Sequence, residues 1–280
     1  LEAATDYAVM ALKSYMDKFF KYEKERWEVP RLEYAILDAD NSNFVDEYTL
    51  TYAQQSAMDP KGDELDAFVA EMSAVLQANN GLDVYKKNFF RGKLVLFDFR
   101  SHLYAPLICL EKSNLKIQLA PVALNTDEMR FVDYLKSYVD DHAAELAGKS
   151  LYLLRNKSKV GMGFFEAGNF YPDYILWIDT PATQYISFID PKGLMHIRPD
   201  DPKIEFHKTI KDLETRLSPT ADGKRIVLNS FIMAGTRSSD LRMWWSTPEV
   251  DADRAYREAR NVYTLDNDEC VESMMRKILQ

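Results

Sequence analysis

Cysteine is scarce in this chain of 280 residues: Cys109 and Cys270 are its two, far apart and without spaced partners. They cannot build a zinc site of paired cysteines and give no disulfide framework. A reducing, cytoplasmic setting is the expectation. No run approaches the roughly 18 consecutive apolar residues of a membrane helix, and the charged, amphipathic start lacks a signal-peptide core. No membrane partner is expected. The first residue is Leu1 rather than Met, which reads as a piece of a longer polypeptide. No glycine- or serine-rich linker, internal repeat or low-complexity segment divides the chain. His196 and His207 have no partner at metal-ligand spacing, and nothing supports a serine or cysteine triad. Positive charge is in deficit, 35 Lys and Arg against 44 Asp and Glu, a net −9. That argues against indiscriminate nucleic-acid binding, although bases outnumber acids between Lys203 and Arg242.

What is present suffices for a large core: 46% hydrophobic residues, 12% aromatic, enough for one large domain or two moderate ones. Helical periodicity covers residues 5–27 and 63–78, the latter closed by Asn79, Asn80 and Gly81. Residues 32–37 read as a strand. The acidic stretch after it fails as a calcium loop, because Asn43 and Thr49 stand where glycine and glutamate are needed. Strands are predicted at 94–99, 103–110 and 116–122. The best-marked helix is 125–142, with Asn125 as N-cap and Glu128 three residues on. Then come a strand at 151–154, a helix at 202–217, and strands at 226–233 and 241–245. A helix at 251–260, a strand at 261–265 and a helix at 272–279 close the chain. The fold class expected is α/β: a mixed central β-sheet flanked by helices. Residues 1–100 form a mostly helical N-terminal part and 101–280 a strand-rich domain.

The central feature is a hairpin. Apolar runs at 174–178 and 185–189, rich in β-branched and aromatic residues, flank a polar turn. If Ile178 faces Tyr185, the same register places Asp173 opposite Asp190. Opposed side chains lie about 4.5–5.5 Å apart, and like charges there are destabilising, so a compensating cation is expected. Lys192, two residues past Asp190, emerges from the same strand face.

These residues carry a resemblance. Pro172-Asp173 and Asp190-Pro191-Lys192, set between a capped helix, three strands, a helix and a strand, resemble the signature and core of the PD-(D/E)xK nuclease superfamily. LYLLRN (151–156), GFFEAGNFYPD (163–173), FIDPKG (188–193) and LNSFI (228–232) are similar to the C-terminal endonuclease region of type III restriction enzymes and related helicase–nuclease chains. The resemblance spans about residue 103 to the C-terminus.

The resemblance implies a restriction-endonuclease-like core and a Mg²⁺-dependent endonuclease that hydrolyses duplex DNA, with Mn²⁺ able to substitute. Its setting would be restriction or antiviral defence. An ATP-driven helicase or translocase would lie in the same full-length chain, with a methyltransferase subunit as partner. No Gly-x-x-x-x-Gly-Lys-Ser/Thr occurs here, so this stretch by itself should not hydrolyse ATP. Residues 1–100 would be the motor's tail or a coupling region. Asp173 and Asp190 would be metal ligands, where the plain reading is a turn aspartate and a strand terminator. The Pro191 carbonyl would face the metal. Lys192 would orient the attacking water, or pair structurally with Asp190. Glu128 admits two readings, a third metal-site acid or half of a capping box. Arg155, Lys157, Lys159 and Arg237 are candidate DNA-phosphate contacts, set against a solvated basic loop. RNA as substrate, and a catalytically silent nuclease-fold module that binds DNA or a partner, remain the rival functions.

Overall fold

The computed structural model describes residues 43–45, 47–53, 62–77, 84–89, 92–99, 101–103, 106–111, 116–157, 170–246 and 250–280, together with 9, 12–16, 18–20, 22, 23 and 26. Every described residue from Val9 to Arg26 is helical, as the periodicity predicts. The strand expected at 32–37 lies outside the described residues.

The elements that follow are β1 (Thr49–Ala53), α1 (Gly62–Gln77), β2 (Val84–Phe89), β3 (Gly92–Phe97), β4 (Leu107–Glu111), β5 (Lys116–Ala120), α2 (Thr126–Asp141), β6 (Ser150–Arg155), β7 (Tyr174–Asp179), β8 (Thr183–Lys192), α3 (Pro202–Glu214), β9 (Arg225–Ala234), α4 (Ser238–Trp244), α5 (Val250–Glu258), β10 (Val262–Thr264) and α6 (Glu269–Ile278). The fold is α/β around a mixed five-stranded sheet, in the order β10-β9-β8-β7-β6. β6, β7 and β8 form an antiparallel meander, and β9 and β10 add in parallel. Parallel neighbours need a crossover: α3 supplies it from β8 to β9, and α4 with α5 from β9 to β10.

Strand alternation divides the core in two. Tyr174, Leu176, Ile178, Ile189 and Phe231 face α2 and α6. Ile175, Phe188, Leu228 and Ile232 face α3 and Trp245. Both faces of the sheet are therefore dry, which explains why β7 and β9 read as continuous apolar runs rather than as alternating ones.

The antiparallel sheet β2-β3-β4 is the second layer system. Leu94 and Leu96 pack with Phe68 of α1, while Val95 and Phe97 join the core of the larger sheet. The boundary expected near Arg100 is spanned by two ladders, β3 with β4 and β1 with β5.

One element differs in type. Residues 241–245 were expected as a strand, but Ser238–Trp244 is helical. Leu241 and Trp245 are buried while Arg242, Met243 and Trp244 between them are not. Burial four residues apart is the helical period, not the strand period. Among the described residues no helix is long and apolar enough to cross a membrane. Cys109 and Cys270 are both buried, and neither is in a disulfide.

Candidate functional site

The hairpin register is the one the sequence predicts: Ile178 faces Tyr185, and Tyr174 faces Ile189. A turn stitched by Thr180 sets it, since its hydroxyl donates to the Thr183 carbonyl at 2.8 Å and accepts from the Thr183 N–H at 3.0 Å. The next pair outward is Asp173 and Asp190, whose carboxyls share a hydrogen bond. Asp173 is clamped from the other side by Asn156: its N–H donates to the Asp173 carbonyl at 2.8 Å and its side-chain amide to the Pro172 carbonyl at 2.9 Å.

Asp190 is buried on β8, beside Ile232 of β9. Lys192 emerges on the same side, with Nζ 2.5 Å from Asp190 Oδ2. The Phe170 ring lies 5.6 Å from that ammonium and 5.8 Å from the ammonium of Lys203, so one aromatic ring attracts two cations.

One cation between two acids leaves the site short of positive charge. Burial, with the adjacent charges of Asp190 and Glu128 and the hydrogen bond to Asp190, pushes the Asp173 carboxyl up to about 8; Arg155 only partly offsets this. A carboxyl held protonated near neutrality by burial and like charge marks a candidate functional site.

Glu128 fulfils the capping reading. Its Oε2 accepts from the Asn125 N–H at 2.7 Å, while Asn125 Oδ1 accepts from the Glu128 and Asp127 N–H groups, each at 2.9 Å. Its carboxylate also binds Arg155 Nη2 at 3.1 and 3.2 Å. Both oxygens are thus engaged by the protein.

Arg155, a candidate phosphate contact in the sequence, is engaged within the chain. Its guanidinium is not presented to solvent but turns inward to Glu128, with further bonds to the carbonyls of Val122 and Ala123. A buried acid and two open carbonyls offer better partners than water. The Lys157 N–H donates to Asn43 Oδ1 at 2.9 Å, and the residue is half-buried. Lys159 lies outside the described residues. Arg237 is exposed at the start of α4.

Asp173, Asp190, Pro191 and Lys192 line a cleft of about 530 Å³, completed by Asp127, Tyr171 and Lys203 among others. Sequence reasoning passed over Asp127 and Lys203. Asp127 adds a third acid, held against the backbone: a side-chain carbon at Gly235 would fall 2.0 Å from its Oδ2. Only glycine allows that approach. The local signal for Lys203 was its place after Pro202 at the helix start, where Asp201 caps it at 2.9 Å.

Comparison with known proteins returned no matching family model, no matching curated protein and no matching solved structure. Among the described residues no group of three or more His, Cys, Asp and Glu side chains is arranged to hold a metal ion. The acids at the cleft act as a hydrogen-bonded pair, with Asp127 beside it and Glu128 behind it.

Proposed function

We propose that the cleft is the active site of a Mg²⁺-dependent endonuclease of the PD-(D/E)xK type acting on duplex DNA. The observation that carries this reading is the carboxyl pair of Asp173 and Asp190, joined by Lys192 at the end of one hairpin and open to a cleft. A mixed sheet with helices on both faces and α2 upstream is compatible with a restriction-endonuclease-like core.

The residues fit a hard divalent cation. The donor set is all oxygen, and Mg²⁺ commonly takes one or two carboxylates and keeps its remaining waters. The like-charge repulsion and burial that keep Asp173 protonated are what such an ion would offset. When bound, Mg²⁺ lowers the pKa of a coordinated water and offsets charge on the phosphate. Asp173 and Asp190 would hold it. Lys192 places its ammonium where it can orient the attacking water and meet developing phosphate charge. Glu128, with both oxygens engaged, positions Arg155 and strengthens the negative field rather than binding the ion. Asp127 and Lys203 border the path of the substrate.

In the full-length protein this domain would follow an ATP-driven translocase and act with a methyltransferase subunit in a restriction system. A second reading, a nuclease-fold platform without activity, draws on the Lys192–Asp190 pair, which neutralises one acid without metal.

The test is cleavage of supercoiled and linear DNA with Mg²⁺ or Mn²⁺. Asp173→Ala, Asp190→Ala and Lys192→Ala should each lower the rate by at least about a hundredfold with unchanged circular dichroism. Cleavage by all three variants at the wild-type rate removes the assigned site. Calorimetric titration with Mn²⁺ separates the platform: no heat dependent on Asp173 favours it.

A further inference from the structure

The cations around the central sheet are mostly spent on acids. Lys192 pairs with Asp190, Arg155 with Glu128, Lys211 with Glu214 and Lys224 with Asp179. Lys203 lines the same cleft as Asp173, Asp190 and Lys192 and does otherwise. Among the described residues its ammonium forms no ion pair and no hydrogen bond. It stands 5.8 Å from the ring of the buried Phe170, which also has the Lys192 ammonium beside it.

Local rules disfavour a lysine at this position. Lys203 follows Pro202 in the first turn of α3. The start of a helix carries partial positive charge, which favours acids there and opposes cations. Asp201 and Glu205 obey that rule; Lys203 breaks it. The residue is half-buried as well, and ordering so long a side chain costs conformational freedom. A side chain that defies its local preference without a partner in the fold is a mark of a functional position.

The acids of the cleft are otherwise engaged. Asp190 is taken by Lys192 at 2.5 Å, Asp127 lies 3.8 Å from Arg130, and burial beside Asp190 pushes the Asp173 carboxyl up to about 8, so that it keeps its proton near neutrality. The Lys203 charge is therefore left for something that enters from outside. Lys192 and Lys203 flank one ring and line one cleft, so an anion charged at more than one point meets both. An ammonium on a flexible stem serves a phosphate as a point charge.

We infer that Lys203 binds the backbone phosphate next to the scissile one, as a positioning residue that holds the strand while Asp173, Asp190 and Lys192 act on its neighbour. This deepens the nuclease reading and rests on it. Lys203 contributes to affinity for the backbone, not to the reading of sequence and not to the chemical step.

The experiment uses the full chain and a short fluorescent DNA duplex, with anisotropy in EDTA followed from about 50 to 200 mM salt. Lys203→Gln keeps a stem against Phe170 and removes the charge. It should weaken binding about fivefold to tenfold near 100 mM salt and lower the slope of log affinity against log salt by about one. Lys203→Arg should keep the wild-type slope. So should Lys208→Gln, on the same helix, where the lysine is paired with Glu205 at 2.5 Å. An unchanged slope in Lys203→Gln overturns the inference, and a lower melting temperature beside it makes the lysine a structural contact to Phe170. An equal fall in Lys208→Gln also overturns it, because the effect is then one of net charge. With Mg²⁺, Lys203→Gln should raise KM by a similar factor and leave kcat within about twofold; a loss confined to kcat places Lys203 in the chemical step and overturns the positioning role. The two ideas fail separately. A changed slope without cleavage removes the nuclease reading and keeps the phosphate contact, whereas Asp173-dependent cleavage with an unchanged slope removes Lys203 alone. A wild type that neither binds nor cleaves the duplex overturns both.

Discussion

Replacing Asp173 by asparagine should stabilise the metal-free protein, and by an amount that depends on pH. The Asp173 carboxyl, at 3.8 in the unfolded chain, is pushed up to about 8 in the fold by burial and by Asp190. The native state therefore keeps a proton that the unfolded chain releases. The contribution of this group favours folding fully below about pH 4, and that favour is lost as pH rises toward 8. At about pH 7 the difference corresponds to roughly 4 kcal/mol at about 1.4 kcal/mol per pH unit, a ceiling that rearrangement of Lys192 and Arg155 would reduce. Asparagine keeps the shape, has nothing to titrate and can donate to Asp190 where the shared proton now lies. Asp173→Asn should then gain between about 1 and 4 kcal/mol near pH 7 and almost nothing near pH 4. Urea denaturation in EDTA at the two pH values measures it. The reasoning is refuted if the variant is less stable than wild type near pH 7, or if its gain is the same at both. Adding Mg²⁺ should reverse the order, because only the wild type gains stability from binding the ion.

Two further perturbations probe the frame behind the acids. Arg155→Ala leaves the buried Glu128 without its cation, and should cost about 3–5 kcal/mol; adding Glu128→Gln should recover part of it, and a denaturation series with no recovery contradicts the pairing. Gly235→Ala brings a methyl group against the Asp127 carboxylate; that carboxylate ends a half-exposed side chain and can swing away, so the loss should stay below about 1 kcal/mol. The double variant with Asp127→Gly should melt near the Asp127→Gly single variant, and a full additive loss would show that the strain lies elsewhere.

Much of the site was legible because its determinants are local. Asn125 and Glu128, three residues apart, announce the cap of α2, and the cap is there. Thr180 and the short polar turn fix the hairpin, so the facing of Ile178 and Tyr185 follows from strand length and turn length alone, and Asp173 and Asp190 meet as a consequence. The order of strands and helices after Asn125 follows the same logic, except where the short α4 was read as a strand. Five residues hold barely one helical period, and apolar Leu241, Met243, Trp244 and Trp245 satisfy either pattern until burial decides between them.

Apolar runs, turn chemistry and caps act over a few positions, and the sequence by itself determined the hairpin, its register, the flanking helices and the meeting of two acids with a lysine. What basic residues do with their charge is another matter. Arg155 reads as part of a basic loop, yet it turns to Glu128, 27 residues away in the chain, because a buried carboxylate with an open oxygen is a partner that only the packed structure supplies. The placing of Asp127 on Gly235, of Lys203 over Phe170, and of Trp244 against the Ile197 carbonyl was decided in the same way, by surfaces that do not exist until distant strands and helices close on one another.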